Sequence, residues 1–216
     1  MKLLVTGFEP FGEEMVNPSE LALRRLMAEG VADVELSCLV LPVVRFRAVD
    51  LAISAIERER PDAVIMLGEA GGRTAITPER VAIGVDDYRR PDNGGNWPED
   101  EEIVPDGPAA YMSTLPVKAM VARMCAASVP AAVSNTAGTY LCNHLTYGVA
   151  HYIARRRLPV CAGFVHLPYL PEQALTKSPV PPSMALETVM HGLHAALAAV
   201  VEVLPARSAS PALAGV

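Results

Sequence analysis

Ala63-Val64-Ile65-Met66-Leu67 runs straight into Gly68-Glu69-Ala70-Gly71-Gly72-Arg73. Five apolar residues in a row leave no polar face, which is the pattern of a strand covered on both sides. The glycines then mark a turn where that strand ends. Upstream, Val44 to Arg60 carries apolar residues at helical spacing and stops before Pro61. Val34 to Leu41 reads as a strand closed by Pro42, and Lys2 to Thr6 as a short buried strand ended by Gly7. Between those two strands, Pro18 to Ala28 reads as a helix, with Asn17 as N-cap and Pro18 at the first helical position.

Downstream, Arg80 to Val85 reads as a further strand, followed by a polar excursion from Asp86 to Gly107. Pro116 to Ala127 reads as a helix, Ala131 to Ser134 as a short strand and Leu141 to Arg157 as a helix. Val160 to Val165 is a buried strand, 168–182 a proline-punctuated loop, and Met184 to Leu204 a long amphipathic helix. The order is βαβαβ, an excursion, then αβαβα. It predicts a single-domain three-layer α/β/α sandwich with a mostly parallel, twisted central sheet over residues 1–204. The small-residue tail, 205–216, is expected to be disordered.

Composition narrows the function. Of 216 residues, 51% are hydrophobic and 19% charged, which excludes intrinsic disorder. The net charge is −6 and the only basic cluster is Arg155-Arg156-Arg157, so a nucleic-acid partner is not expected. No uninterrupted apolar run approaches the ~18–20 residues that span a bilayer, so no membrane partner is expected. Leu3-Leu4-Val5 is too short for a signal-peptide core. Cys38, Cys125, Cys142 and Cys161 form no C-x-x-C pair, and a chain this long needs no disulfides; a reducing cytoplasm is expected. His191 and His194 lack further ligand types around them, so no metal site is expected there.

Parallel sheets place ligands at the carboxyl ends of their strands. After Ala131 to Ser134 comes Asn135-Thr136-Ala137-Gly138-Thr139-Tyr140-Leu141-Cys142-Asn143-His144. With Thr139 as N-cap, Cys142 falls in the first helical turn. There free N–H groups and the helix dipole lower a thiol pKa and can hold an oxyanion. The alternative is a small buried cysteine, the reading that fits Cys38, Cys125 and Cys161. A thiol nucleophile needs a base. His144 lies about 200° around the helix from Cys142 and faces elsewhere. His166 follows an apolar strand and is delivered at its carboxyl end. Glu9, Glu69, Glu79, Asp86 and Asp87 all lie near strand termini, and chemistry alone does not choose which one orients the base. Phe8 and Phe11 flank Glu9-Pro10 after the first strand and could line a small apolar pocket.

These residues resemble a known family. Thr6-Gly7-Phe8-Glu9-Pro10-Phe11-Gly12 with Asn17-Pro18, Glu79-Arg80-Val81-Ala82-Ile83, Arg89 with Pro91-Asp92-Asn93, Ser134 to His144, and Gly163-Phe164-Val165-His166-Leu167-Pro168 with Leu170-Pro171-Glu172-Gln173 are similar, in order, to segments of the cysteine-type pyroglutamyl peptidases. The resemblance spans residues 2 to about 203. It implies a cytoplasmic, cofactor-free cysteine peptidase that hydrolyses the bond after an N-terminal pyroglutamyl residue through a thioester acyl-enzyme. It implies Cys142 as nucleophile, His166 as base and Glu79 as orienting carboxylate. It further implies Phe8 and Phe11 sandwiching the lactam ring, Arg89 near the site, and a homo-oligomer, dimer or tetramer.

The family usually carries Gln where this chain has Glu69, and Tyr88 and Arg90 replace smaller or apolar residues. A carboxylate at 69 either reaches the pocket or accepts N–H bonds within its own Gly-rich turn, and the turn's many N–H groups favour the second. Two rivals stay open on the same fold: a non-catalytic small-molecule binding protein, and a phosphorylase-like transferase using Arg73 and Arg89 as phosphate donors.

Overall fold

The computed structural model describes residues 1–208. Strands β1 (Lys2–Phe8), β2 (Glu35–Leu41), β3 (Ala63–Glu69), β4 (Thr77–Pro78) and β9 (Cys161–Leu167) form one sheet in the order β2-β1-β3-β9-β4. The first four in that order are parallel, and β4 closes the edge antiparallel, with Thr77 opposite His166. The helices are α1 (Pro18–Glu29), α2 (Arg47–Glu59), α3 (Val117–Ala126), α4 (Leu141–Arg156), α5 (Pro171–Ala174) and α6 (Leu186–Ser208).

Strand alternation sorts the core into two layers. Leu3, Val5, Ile65, Leu67, Val165 and Leu167 pack under α1, α3 and α6. Leu4, Phe8, Val64, Met66 and Phe164 pack under α2 and α4. This is the expected three-layer sandwich. Each fully buried aliphatic or aromatic side chain contributes roughly 1.5–3 kcal/mol, so the apolar run Ala63 to Leu67 of β3 feeds both layers. Asn17 caps α1 as expected, its Oδ1 accepting from Ser19 N at 2.9 Å with Pro18 next in line.

Several expectations need correction. Arg80 to Val85 does not join the sheet: β5 (Val81–Ile83) pairs antiparallel with β8 (Ala110–Met112), and β6 (Val85–Asp86) with β7 (Glu101–Glu102), as two ribbons. Local patterning specifies an extended segment but not its partner. Ala131 to Ser134 makes only isolated bridges, to Ile76 and Glu79. Helix α6 runs to Ser208, four residues into the stretch expected to be disordered, and 209–216 lie outside the described residues. Leu186–Leu204 is also long and apolar enough to cross a membrane, with mean hydropathy 1.3. Its Val189, Leu193, Leu197 and Val200 are buried against the sheet, as befits a core helix.

Candidate active site

The alternation that layers the core also builds the site. Phe8, Gly68 and His166 follow Leu4, Met66 and Phe164 on the sheet face that α4 covers, and all three sit at carboxyl ends of parallel strands. His166 lies within β9 rather than after it, in register with Gly68. A Cβ on Gly68 would stand 3.0 Å from Cys142 Sγ and 2.5 Å from Phe164 Cζ. The missing side chain therefore lets the thiol settle directly over the strand ends beside His166.

Cys142 occupies the first turn of α4. The first backbone bond of that helix is His144 N to Tyr140 O at 3.0 Å, so the N–H groups of Leu141, Cys142 and Asn143 precede the ladder. The cap is Tyr140, which makes no side-chain cap bond. Thr139 is not the cap; its hydroxyl donates to Asp87 O at 2.7 Å and ties the turn to the excursion.

His166 is 4% exposed, and its Nδ1 lies 2.7 Å from Glu79 Oε1. Glu79 is 1% exposed and follows β4, anchored by Glu79 N donating to Phe164 O at 2.8 Å. Arg73 Nη1 donates to the same Oε1 at 2.6 Å and also bonds Thr77, while its Nη2 reaches Thr136 O at 3.1 Å. Against the penalty of burial, His166 and Arg73 hold Glu79 below the usual carboxylate range. An ionised Glu79 places the imidazole hydrogen on Nδ1 and leaves Nε2 as acceptor. Of the five carboxylates left open, Glu79 is the one on His166. Arg73 was not foreseen in this role; its signal was the arginine that ends the Gly-rich turn.

Burial shifts both titratable groups of the pair. It pushes the Cys142 thiol up to about 12, helped by Glu79 and Glu69, and pushes His166 below its ordinary value. The direction is opposite to the lowering expected from the helix terminus, because burial penalises the charged form.

Cys142 and His166 open onto a cavity of about 140 Å³ walled by Phe8, Phe11, Tyr140, Leu141, Val43 and Asn17, with Glu69 also on its lining. Drug-sized pockets run roughly 300–1,000 Å³, so this one takes a single small ring. Phe11 and Tyr140 stack obliquely with centroids 6.0 Å apart, and Tyr140 meets the buried Tyr88 edge-on at 4.6 Å.

Two site expectations fail. Glu69 does not satisfy its turn: its Oε2 accepts from Gln173 Nε2 of α5 at 2.7 Å. Arg89 is exposed and off the cavity lining, whereas the neighbouring Arg90 lies against Gly12 at the rim. With Arg73 committed to Glu79 and Arg89 outside, the phosphate-dependent rival loses both its donors. His144 faces away from Cys142 as the helix geometry requires, its Nδ1 2.7 Å from Asp86 Oδ2. His194 pairs with Glu29 at 3.0 Å.

Comparison with known proteins places this geometry. The family model described as pyroglutamyl peptidase matches residues 1–203. A pyrrolidone-carboxylate peptidase from Streptomyces coelicolor is 52% identical over 198 residues, covering 92% of this chain and 91% of that protein. One from Vibrio vulnificus is 49% identical over 193 residues, 89% of each. The crystal structure of pyroglutamyl peptidase I from Bacillus amyloliquefaciens superposes with TM-score 0.89 at 42% identity, over 93% of this chain and 95% of that one. A mutant pyrrolidone carboxyl peptidase from Pyrococcus furiosus gives 0.90 at 42%, over 94% and 100%. On sequence and on structure alike, the chain belongs to the pyroglutamyl peptidase family.

Proposed function

We propose that this enzyme removes an N-terminal pyroglutamyl residue from peptides through Cys142, His166 and Glu79. The carrying observation is the small, aromatic-walled cavity that Cys142 and His166 share. A lactam ring is neutral and compact and lacks the free α-amine that other aminopeptidases capture. A pocket with Phe8 and Phe11 in its wall suits its faces, and the size admits the ring while leaving the rest of the peptide outside.

The chemistry follows from the arrangement of Cys142, His166 and Glu79 about the cavity. His166 Nε2 takes the Cys142 proton as sulfur attacks the carbonyl that joins the ring to the next residue. The carbonyl oxygen becomes an oxyanion within reach of the free N–H groups at the start of α4. Glu79 stabilises the imidazolium, with Arg73 fixing the carboxylate. His166 then protonates the leaving amine, the C–N bond breaks, and a thioester to Cys142 remains. His166 activates water to hydrolyse it, returning thiol and imidazole. Cys38, Cys125 and Cys142 are free thiols, which suits a reducing cytoplasm.

The test is turnover of a pyroglutamyl-arylamide beside a prolyl-arylamide, with and without phosphate. Cleavage of the first alone, indifferent to phosphate, is expected. Binding without turnover would favour a non-catalytic lactam-binding protein. The proposal includes a homo-oligomer, dimer or tetramer; light scattering that gives a monomer at micromolar concentration would reject that part.

A further inference from the structure

Glu69 is the acidic group on the cavity lining. Its surroundings come from four directions. Gln173 donates to its Oε2, and Leu170 N donates to Gln173 Oε1 at 3.0 Å, so the Gln173 amide is oriented with its NH₂ toward Glu69. That NH₂ also lies 3.2 Å from Glu14 Oε2 and 3.3 Å from Val16 O. Lys177, the nearest lysine, is paired with Glu14. Arg90 stands at the rim, and Tyr169, Cys142 and His166 complete the titratable neighbours. Among the described residues Glu69 has no ion-pair partner, and its Oε1 has no protein hydrogen bond. A half-buried carboxyl on a cavity wall with one amide donor and no paired cation keeps its proton to higher pH. Burial pushes Glu69 up to about 7.

We propose that Glu69 is a specificity-determining residue of this site: as an acid its hydroxyl donates to a carbonyl oxygen of the neutral lactam, and as a carboxylate it repels that ring. The proposal rests on the peptidase reading above for its substrate. An ionised Glu69 offers acceptors only and sets an unpaired charge against a neutral ligand in a desolvated pocket. It also opposes thiolate formation at Cys142. Capture of a lactam is therefore favoured on the acid side of neutrality, and an amide at position 69, which donates at every pH, frees it from this limit.

The probe is 2-pyrrolidinone, the bare lactam, as a competitive ligand, measured with kcat/KM for a pyroglutamyl-arylamide from pH 6 to 9. In the wild type, lactam affinity and kcat/KM fall above neutrality, approaching about tenfold per pH unit for a single ionisation. In Glu69→Gln the lactam affinity is flat, and at pH 9 the variant exceeds the wild type tenfold or more in kcat/KM. A wild-type affinity independent of pH, or the same decline in Glu69→Gln, overturns the proposal. If the variant does not fold, the wild-type profile decides alone. An absence of turnover at every pH strikes the peptidase reading instead, and lactam affinity still decides the role of Glu69.

Discussion

Two histidines in this protein are built almost alike. His166 Nδ1 sits 2.7 Å from Glu79 Oε1, which also receives Arg73 at 2.6 Å. His144 Nδ1 sits 2.7 Å from Asp86 Oδ2, which also receives Arg45 Nε at 2.8 Å. Both imidazoles are buried. The difference is the far nitrogen. Nε2 of His144 accepts the backbone N–H of Phe46 at 3.1 Å, where Phe46 holds a left-handed φ of 60° at the start of α2. His166 instead lines the cavity with Cys142. An imidazole on a carboxylate held by an arginine is thus no mark of catalysis. Nε2 of His144 is saturated and the ring is a strut between helices, whereas His166 shares a cavity with Cys142, the setting the proposed base requires.

The sharpest break of this comparison is at sulfur. Cys142→Ser is expected to lower turnover by at least about 10³-fold while the fold persists, since a hydroxyl ionises far less readily than a thiol. Cys38→Ser, Cys125→Ser and Cys161→Ser are expected to keep activity when folded. Full activity in Cys142→Ser would remove the nucleophile assignment.

Next come the histidines themselves. His166→Ala is expected to cost ~10²–10⁴-fold in kcat/KM, the usual contribution of general acid–base work. His144→Ala is expected to cost stability instead. It orphans the Phe46 N–H, at about 1–3 kcal/mol, and leaves Asp86 with Arg45 as its remaining partner. For a chain of this size the melting temperature falls roughly 2–4 °C per kcal/mol. Activity per folded molecule should hardly change, and thermal melts beside kinetics separate the two. An essential His144 with a dispensable His166 would invert the comparison.

Gly68→Ala probes the space that admits the thiol. The added methyl meets Phe164 and Cys142 Sγ. Overpacking of this kind costs typically about 1–3 kcal/mol, and here it displaces the nucleophile too, so kcat/KM should fall more than stability explains. A variant as active as the wild type would show that the sulfur position is not tightly set.

Much of this contrast was readable in the chain. The run Ala63 to Leu67 specifies a doubly covered strand, and the 100° step of a helix separates His144 from Cys142. Alternation along β9 puts His166 on the face of Phe164, beneath α4. The choice of Glu79 was not readable from chemistry alone, because its hydrogen bond to His166 joins positions 87 residues apart. The partner of Glu69 is hidden for the same reason: Gln173 lies 104 residues away, whereas the N–H groups of the local turn are adjacent in sequence. Arg80 to Val85 was read as a sheet strand because alternation is blind to the ribbon partner at Ala110–Met112.

The smallest expected effect contrasts Glu79 with Glu69. Glu79, held below the carboxylate range, contributes stability above about pH 4.3 that is lost as pH falls through its folded value. Glu69, raised to about 7, contributes stability at low pH that is lost as pH rises from about 4.3 through 7. Glu69→Gln should therefore gain melting temperature relative to wild type between pH 5 and pH 8. An offset that does not change with pH would show that Glu69 ionises normally in the folded state.

The position of the acyl group tests Cys142 most directly. A pyroglutamyl aryl ester, whose good leaving group lets acylation outrun hydrolysis, can be mixed with the enzyme, quenched in acid and mapped by peptide mass spectrometry. The expected result is one pyroglutamyl group on the peptide that carries Cys142, absent in Cys142→Ser. Acylation of Cys38, Cys125 or Cys161 in its place, or release of pyroglutamate by Cys142→Ser at the wild-type rate, would contradict it.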